Sequence, residues 1–179
     1  MKTIIFDIDG TITNMWPIEK SVLLGMLRKN TIKEIDEIYQ QQTKKTYQIY
    51  NKISKEKLTQ KEFYRRYNRT FLKLLINNQL PKPAKYTIVN WIISNHNLYH
   101  FVYVTGGQRL ETKYVLDMLK VSKYFDFTNS LDKSNCRFAK KTGIPYKIIK
   151  RRFNNCLVIT DSKNDCLGAI KTEITFIKV

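Results

Sequence analysis

Thr3-Ile4-Ile5-Phe6-Asp7-Ile8-Asp9-Gly10-Thr11 is the stretch from which the rest of this chain can be read. Residues 3–7 are short, β-branched and apolar up to the first carboxylate, the pattern of a buried strand, and Gly10 bounds it. Side chains alternate along a strand, so Asp7 and Asp9, two positions apart, lie on one face. Where the strand ends and the chain turns at Gly10, both can point into one crevice. One carboxylate can then attack phosphorus while the other manages protons, which is the signature of a phosphoryl-transfer site. At average residue usage the pattern Asp-x-Asp-Gly-Thr arises at about one position in 100,000, so chance is a poor explanation.

Beyond Thr11 the rhythm changes. From Pro17 to Asn78 the chain is amphipathic with no convincing strand. Pro17 suits a first helical turn, and Ile18, Val22, Gly25, Met26 and Lys29 follow one helical face. Ile32 to about Tyr50 carries Ile35, Ile38 and Tyr39 at helical spacing. Thr59 to Glu62 forms a capping box, opening a helix with Phe63, Tyr67, Phe71, Leu74 and Leu75 on one side. Residues 79–83, with Pro81 and Pro83, then break the chain.

After the break, helix and strand alternate. The pattern predicts a helix over 84–94, a strand over 101–104 ending in Thr105-Gly106-Gly107, and a helix over 109–119. A short strand follows over 125–128, then a helix opened by Pro145 with Ile148, Ile149 and Phe153 inward. A strand over 157–160 ends at Asp161, a helix covers 164–171, and 174–179 closes as a strand. Strands separated by helices imply right-handed crossovers and a parallel sheet. The expected fold is α/β: a Rossmann-like parallel sheet core with a helical cap inserted after the first strand. The core would take residues 1–13 and 84–179, and the cap 14–83, an insertion of about 70 residues.

In such a sheet ligands bind beyond the carboxyl ends of the strands, near the point where strand order reverses. Three strand ends carry suggestive residues: Asp7 with Asp9, Thr105 with Gly106, and Asp161 with Asp165. A hydroxyl and an open backbone N–H suit phosphate oxygens. Each has a plain structural alternative, since Thr105-Gly106-Gly107 could be only a turn and Asp161 and Asp165 only helix caps. Hard oxygen ligands clustered without His or Cys favour Mg²⁺ over zinc.

With these motifs in place the chain resembles the haloacid dehalogenase (HAD) superfamily along its whole length. It looks like one of the phosphatases with a helical cap, of the phosphoglycolate-phosphatase-like branch. The resemblance implies Asp7 as nucleophile, forming an aspartyl-phosphate, and Asp9 as the acid and then base for leaving oxygen and water. It implies Mg²⁺ held by Asp7, the Asp9 carbonyl and Asp161, with Asp165 contributing directly or through water, and Thr105 and Gly106 on the phosphoryl oxygens. It also implies a lysine that neutralises phosphate charge. Residues 140–145 resemble the superfamily's Lys-Pro-x-Pro region with one extra residue, which makes Lys141 the first choice and Lys140 the next. Asn14 and Thr160 depart from the usual acidic residue and glycine at their positions.

Composition bounds the partners. At 179 residues, with 42% hydrophobic residues, the chain suits a globular core domain carrying an insertion. No apolar run reaches membrane-spanning length and Met1 leads straight into a strand, so a cytoplasmic protein without membrane contact is expected. The three cysteines lack metal-ligand spacing, and two histidines would poorly supply a zinc site. The net charge of +17 draws anions. A Mg²⁺-dependent phosphatase acting on a small anionic phosphate ester is therefore the leading expectation. A phosphomutase would keep the same carboxylates. A nucleic-acid-binding protein, or a phosphatase for polynucleotide ends, is the rival suggested by the charge and by the basic aromatic stretch Tyr64-Arg65-Arg66-Tyr67-Asn68-Arg69.

Overall fold

The computed structural model describes residues 1–27, 32–41 and 46–179. These divide into two compact units, Met1–Met15 with Pro83–Val179, and Trp16–Lys82.

The first unit is built on a four-stranded parallel sheet: β1 Lys2–Phe6, β2 Tyr99–Tyr103, β3 Cys156–Thr160 and β4 Thr175–Lys178, in the order β2-β1-β3-β4. Helices α5 Thr87–Asn95, α6 Arg109–Met118, α7 Ile144–Arg152 and α8 Lys163–Ile170 belong to the same unit. β1 is central, and Ile4, Ile5 and Phe6 are all buried, as a parallel strand covered on both faces should be. Alternation sorts these residues. Ile5, Val102, Val104 and Val158 pack with Tyr146 and Ile149 of α7, Ala169 of α8 and Ile174. Phe6 meets Trp91 of α5, Phe101 and Phe125 edge-on, with centroids 6.4, 5.6 and 5.8 Å away. Strand order reverses beside β1, since the chain goes to β2 on one side and to β3 on the other.

One expected strand is absent from the sheet. Residues 125–128 make only an isolated bridge, Phe101 to Phe125, with a second bridge from Val104 to Leu131. The Asp126 carboxylate accepts the backbone N–H groups of Thr128 and Asn129 at 2.9 and 3.0 Å and the Asn129 amide at 2.7 Å. A side chain that captures its own downstream backbone makes a turn and ends strand pairing at once.

The second unit is helical: α1 Trp16–Leu27, α2 Ile32–Gln41, α3 Thr46–Ile53 and α4 Gln60–Ile76. The stretch read as one helical pattern from Ile32 to Tyr50 is thus divided between α2 and α3, and Lys29 lies outside the described residues. The capping box forms as read, with the Glu62 N–H donating to Thr59 Oγ1 and the Thr59 N–H to Glu62 Oε2. Phe63, Tyr67 and Phe71 of α4 are buried, each worth roughly 1.5–3 kcal/mol on burial. Gly25 lets α1 and α4 approach closely, because a Cβ there would sit 2.8 Å from Thr70 Cγ2. Trp16 stacks on Tyr39, with centroids 3.6 Å apart and planes 6° from parallel.

Candidate active site

β1 delivers Asp7 directly. Its N–H continues the strand pairing to the Ile159 carbonyl at 3.0 Å, and the residue is buried. Asp7 Oδ1 accepts the Ile8 N–H at 2.8 Å and lies 2.8 Å from Lys140 Nζ. The chain then closes a tight loop, with Ile12 N–H on the Ile8 carbonyl at 2.9 Å and Gly10 N–H on the Thr13 carbonyl at 2.8 Å. Gly10 has φ +79°, and a Cβ there would fall 2.2 Å from Asp161 Oδ2. Glycine is needed at this one position both for the left-handed turn and for the approach of Asp161.

Thr11 ties the two strand ends together. Its hydroxyl donates to Asp161 Oδ1 at 3.2 Å and accepts the Asp161 N–H at 3.0 Å. Asp9 Oδ1 accepts the Met15 N–H at 2.8 Å. The Asp9 residue is exposed, and its carboxyl lies against the Met15 N–H. Loss of water around it raises its pKa above the ordinary value, the Met15 N–H opposes this, and the charges of Asp7 and Asp161 add to the rise. Asp7, Asp9, Asp161 and Lys140 therefore share one electrostatic neighbourhood.

Asp165, from the first turn of α8, is fully buried and paired with Lys140 Nζ at 2.7 Å through Oδ2. Its Oδ1 accepts the hydroxyl of Tyr146, itself fully buried on α7. Burial first, then the Asp7 charge, pushes Asp165 up to about 7 against the pull of Lys140. Lys140 is raised as well: burial alone would lower it, and its two carboxylates outweigh that. Gly168 of α8 makes this packing possible, because a Cβ there would lie 2.3 Å from the Lys140 carbonyl and 2.6 Å from the Tyr146 ring.

Of the two lysines read from sequence, the one preferred there, Lys141, is not the one that meets the carboxylates. Lys140, the second choice, joins Asp7 and Asp165, whereas Lys141 is exposed. The two belong to one 3₁₀ turn, Lys140–Thr142, in which successive side chains diverge by about 120°, so only one can face the carboxylates. Tyr146 and Thr11 were not singled out as site residues by sequence reasoning. Thr11 was available as the last residue of the opening motif. Tyr146 gave no signal beyond being aromatic on a core-facing helix.

Thr105 follows β2, whose register sets Tyr103 opposite Phe6, and the Val104 N–H donates to the Phe6 carbonyl at 2.9 Å. Thr105 is thus level with the loop that follows Asp7. Its N–H donates to the Leu131 carbonyl at 2.9 Å and its hydroxyl accepts the Gly107 N–H at 3.1 Å. Gly106 is exposed, with open space where a Cβ would be. Among the described residues, no hydrogen bond joins Thr105 or Gly106 to Asp7, Asp9, Asp161, Asp165 or Lys140.

The donor set fits a small hard cation of particular demands. Among the described residues no three His, Cys, Asp or Glu side chains form a metal-holding group by themselves. Asp165 Oδ1 accepts the Tyr146 hydroxyl and Oδ2 lies against the Lys140 ammonium, so any ligand role of Asp165 would compete with these two protein partners. Asp7 and Asp161 supply further carboxylates at the same strand ends. One or two carboxylates completed by water and substrate phosphate is how Mg²⁺ is ordinarily bound, in contrast to the fuller protein cages of Ca²⁺ or zinc.

Residues 4–179 match the family profile described as haloacid dehalogenase-like hydrolase. Among solved structures, a HAD-superfamily hydrolase of subfamily IA, variant 1, from Geobacter sulfurreducens aligns at TM-score 0.71 and 14% identity, over 99% of this chain and 86% of that one. A predicted phosphoglycolate phosphatase from Haemophilus somnus aligns at TM-score 0.70 and 19% identity, over 99% and 84%. An Entamoeba histolytica HAD hydrolase of family IA, variant 3, aligns at TM-score 0.68 and 14% identity, over 100% and 84%. No curated protein matches the sequence.

Proposed function

The chain belongs to the haloacid dehalogenase-like hydrolases, and from that premise we propose that it is a Mg²⁺-dependent phosphatase hydrolysing a small phosphomonoester through an aspartyl-phosphate. The observation that carries the reading is the ion cluster at the strand ends: Lys140 Nζ within 2.8 Å of Asp7 and 2.7 Å of Asp165. It supports the reading because a carboxylate able to act as nucleophile would need a fixed cation beside it, at the point where strand order reverses.

In this reading Asp7 attacks phosphorus through the carboxylate oxygen not held by Lys140 and Ile8, and the ester P–O bond breaks. Asp9, with its raised pKa, carries the proton to the leaving oxygen, then takes one from the water that cleaves the phosphoaspartate. Lys140 offsets the negative charge that would otherwise keep an anionic carboxylate from an anionic ester. Asp165, gripped by Tyr146, orients that ammonium. The Thr105 hydroxyl and Gly106 N–H bind the phosphoryl oxygens. Asp7, the Asp9 carbonyl and Asp161 would hold Mg²⁺, whose charge further neutralises the transferring group. The three free, half-buried cysteines fit a reducing compartment, so the cytoplasm is the assigned location.

A phosphate-release screen across sugar phosphates, nucleotides, phosphoglycolate and polynucleotide ends, with and without Mg²⁺, tests this. Release only with Mg²⁺, abolished by Asp7→Asn, is expected. Turnover that survives Asp7→Asn removes Asp7 from its role, and an isomeric sugar phosphate in place of free phosphate converts the assignment to a phosphomutase.

A further inference from the structure

The basic aromatic stretch on α4 does not present what a nucleic acid would need. Tyr67 is buried, and Tyr64 packs against Phe63 and Tyr67 with centroids 5.1 and 6.4 Å away. Tyr67 is therefore closed to base stacking, and Tyr64 is half-buried. What the stretch does build is a cleft within the helical unit. Its volume is about 850 Å³, and Lys55, Arg65, Arg66 and Arg69 line it. That volume lies in the range of small-molecule sites, roughly 300–1,000 Å³.

The charges in this cleft are only partly compensated. Among the described residues its acidic lining residue, Glu56, is claimed by a bidentate pair with Arg66, both contacts at 2.7 Å, and Glu62, on the preceding turn of α4, adds its charge beside Arg65 and Arg66. The bidentate pair is close to neutral and fixes one wall. Lys55, Arg65 and Arg69 are exposed, and among the described residues none of them is in an ion pair. Arg65 and Arg69 are four positions apart on α4, so they share a helix face one turn apart. Lys55, which follows α3, and Ser54 and Thr70 also line the cleft. Guanidinium forks match phosphate oxygens in pairs, and two forks a helical turn apart suit a run of phosphates better than a single one.

We propose that this cleft is a binding site for an oligophosphate chain, held by Arg65 and Arg69 with help from Lys55. The site belongs wholly to residues of the helical unit and does not rest on the phosphatase reading. Free oligophosphate and the chain of a nucleoside triphosphate share this chemistry, and the experiment separates them.

Calorimetric titration of the full chain carrying Asp7→Asn, in Mg²⁺-free buffer, uses inorganic tripolyphosphate, ATP and inorganic phosphate as probes. Tripolyphosphate is expected to bind at least about tenfold tighter than phosphate, through the two arginine forks. Equal affinity for ATP and tripolyphosphate assigns the site to the chain alone, and tighter ATP adds a nucleoside contact. Arg65→Ala with Arg69→Ala should weaken tripolyphosphate by at least about tenfold, and the paired Arg→Lys changes by less, since charge stays and the fork goes. The Lys pair also keeps the test alive if the alanine pair fails to fold, as read by circular dichroism. Loss of binding on Lys140→Ala, or an equal loss on Lys147→Ala with Arg151→Ala on the exposed side of α7, overturns the proposal. Unchanged binding in the Arg65/Arg69 variants overturns it too.

Discussion

Lys140 holds together two carboxylates that burial would otherwise force apart or neutralise. Asp7 and Asp165 each lie within 2.8 Å of its ammonium, and the side chains are 6% and 1% exposed. Removing one partner of a buried pair costs about 3–5 kcal/mol where the remaining charge cannot be relieved. Here relief exists, because burial pushes the Asp165 pKa up to about 7, which makes proton uptake by this carboxyl easy. The sign follows from linkage: a carboxyl whose folded pKa is raised contributes stability in full below its unfolded value of 3.8, and loses it as pH climbs through the folded one. Lys140→Ala raises that folded pKa further, so the penalty grows with pH. Thermal melts of Lys140→Ala in Mg²⁺-free buffer should therefore fall more steeply than wild type between pH 6 and 9. Its kcat/KM should drop by about 100-fold or more, as for removal of a fixed electrostatic donor. Lys141→Ala, at an exposed position, should stay within about 0.5 kcal/mol in stability and lose no activity. The reverse pattern in these two variants would return the role to Lys141.

At the scale of elements, each strand end that carries the site was legible, and for one reason. β1, β2 and β3 are apolar, β-branched or aromatic runs that stop at a polar residue, and that pattern survives in any sequence context. The start of α4 was legible because Thr59 and Glu62 satisfy each other's backbone locally. Residues 125–128 misled because Phe125 and Phe127 read as strand while Asp126 decides the geometry through contacts with Asn129 and His100. Lys140 was ranked after Lys141 because which of the two faces inward depends on the three-residue turn that ends at Gly143, φ +80°, and no periodicity encodes that. The Asp126 turn makes its own prediction. Burial alone would raise the Asp126 pKa, but the Asn129 amide and N–H, with His100, pull it below the ordinary value. A depressed carboxyl stabilises above its unfolded pKa of 3.8 and loses that contribution as pH falls through the folded one. Asp126→Ala should cost about 1–3 kcal/mol at pH 7, the range for hydrogen bonds to a charged acceptor, and much less near pH 2. Urea unfolding of both proteins at the two pH values measures this. A pH-independent difference would mean that the turn owes nothing to the carboxylate charge.

Charge governs the molecule as a whole. Thirty-two Lys and Arg face fifteen Asp and Glu, so at neutral pH at least seventeen cations have no acidic residue to pair with. Several of the acids are spent in the cluster around Lys140, and among the described residues the pairs at the surface, such as Lys113 with Asp117 at 2.6 Å, are few. An exposed pair contributes at most about 1 kcal/mol and loses that to added salt. Repulsion among many unpaired cations is screened by the same salt, over a Debye length that falls to about 10 Å at 0.1 M. The repulsive contribution is larger here because the cations outnumber their partners by two to one. Net charge this far from zero destabilises the compact state through self-repulsion. Raising NaCl from 20 to 200 mM should therefore raise the melting temperature, by about 2–8 °C if screening recovers 1–2 kcal/mol in a chain of this size. Calorimetry with sucrose as a nonionic control separates screening from general exclusion effects. A melting temperature that falls with NaCl would mean that local pairing, and not the global excess of positive charge, dominates the electrostatics of the fold.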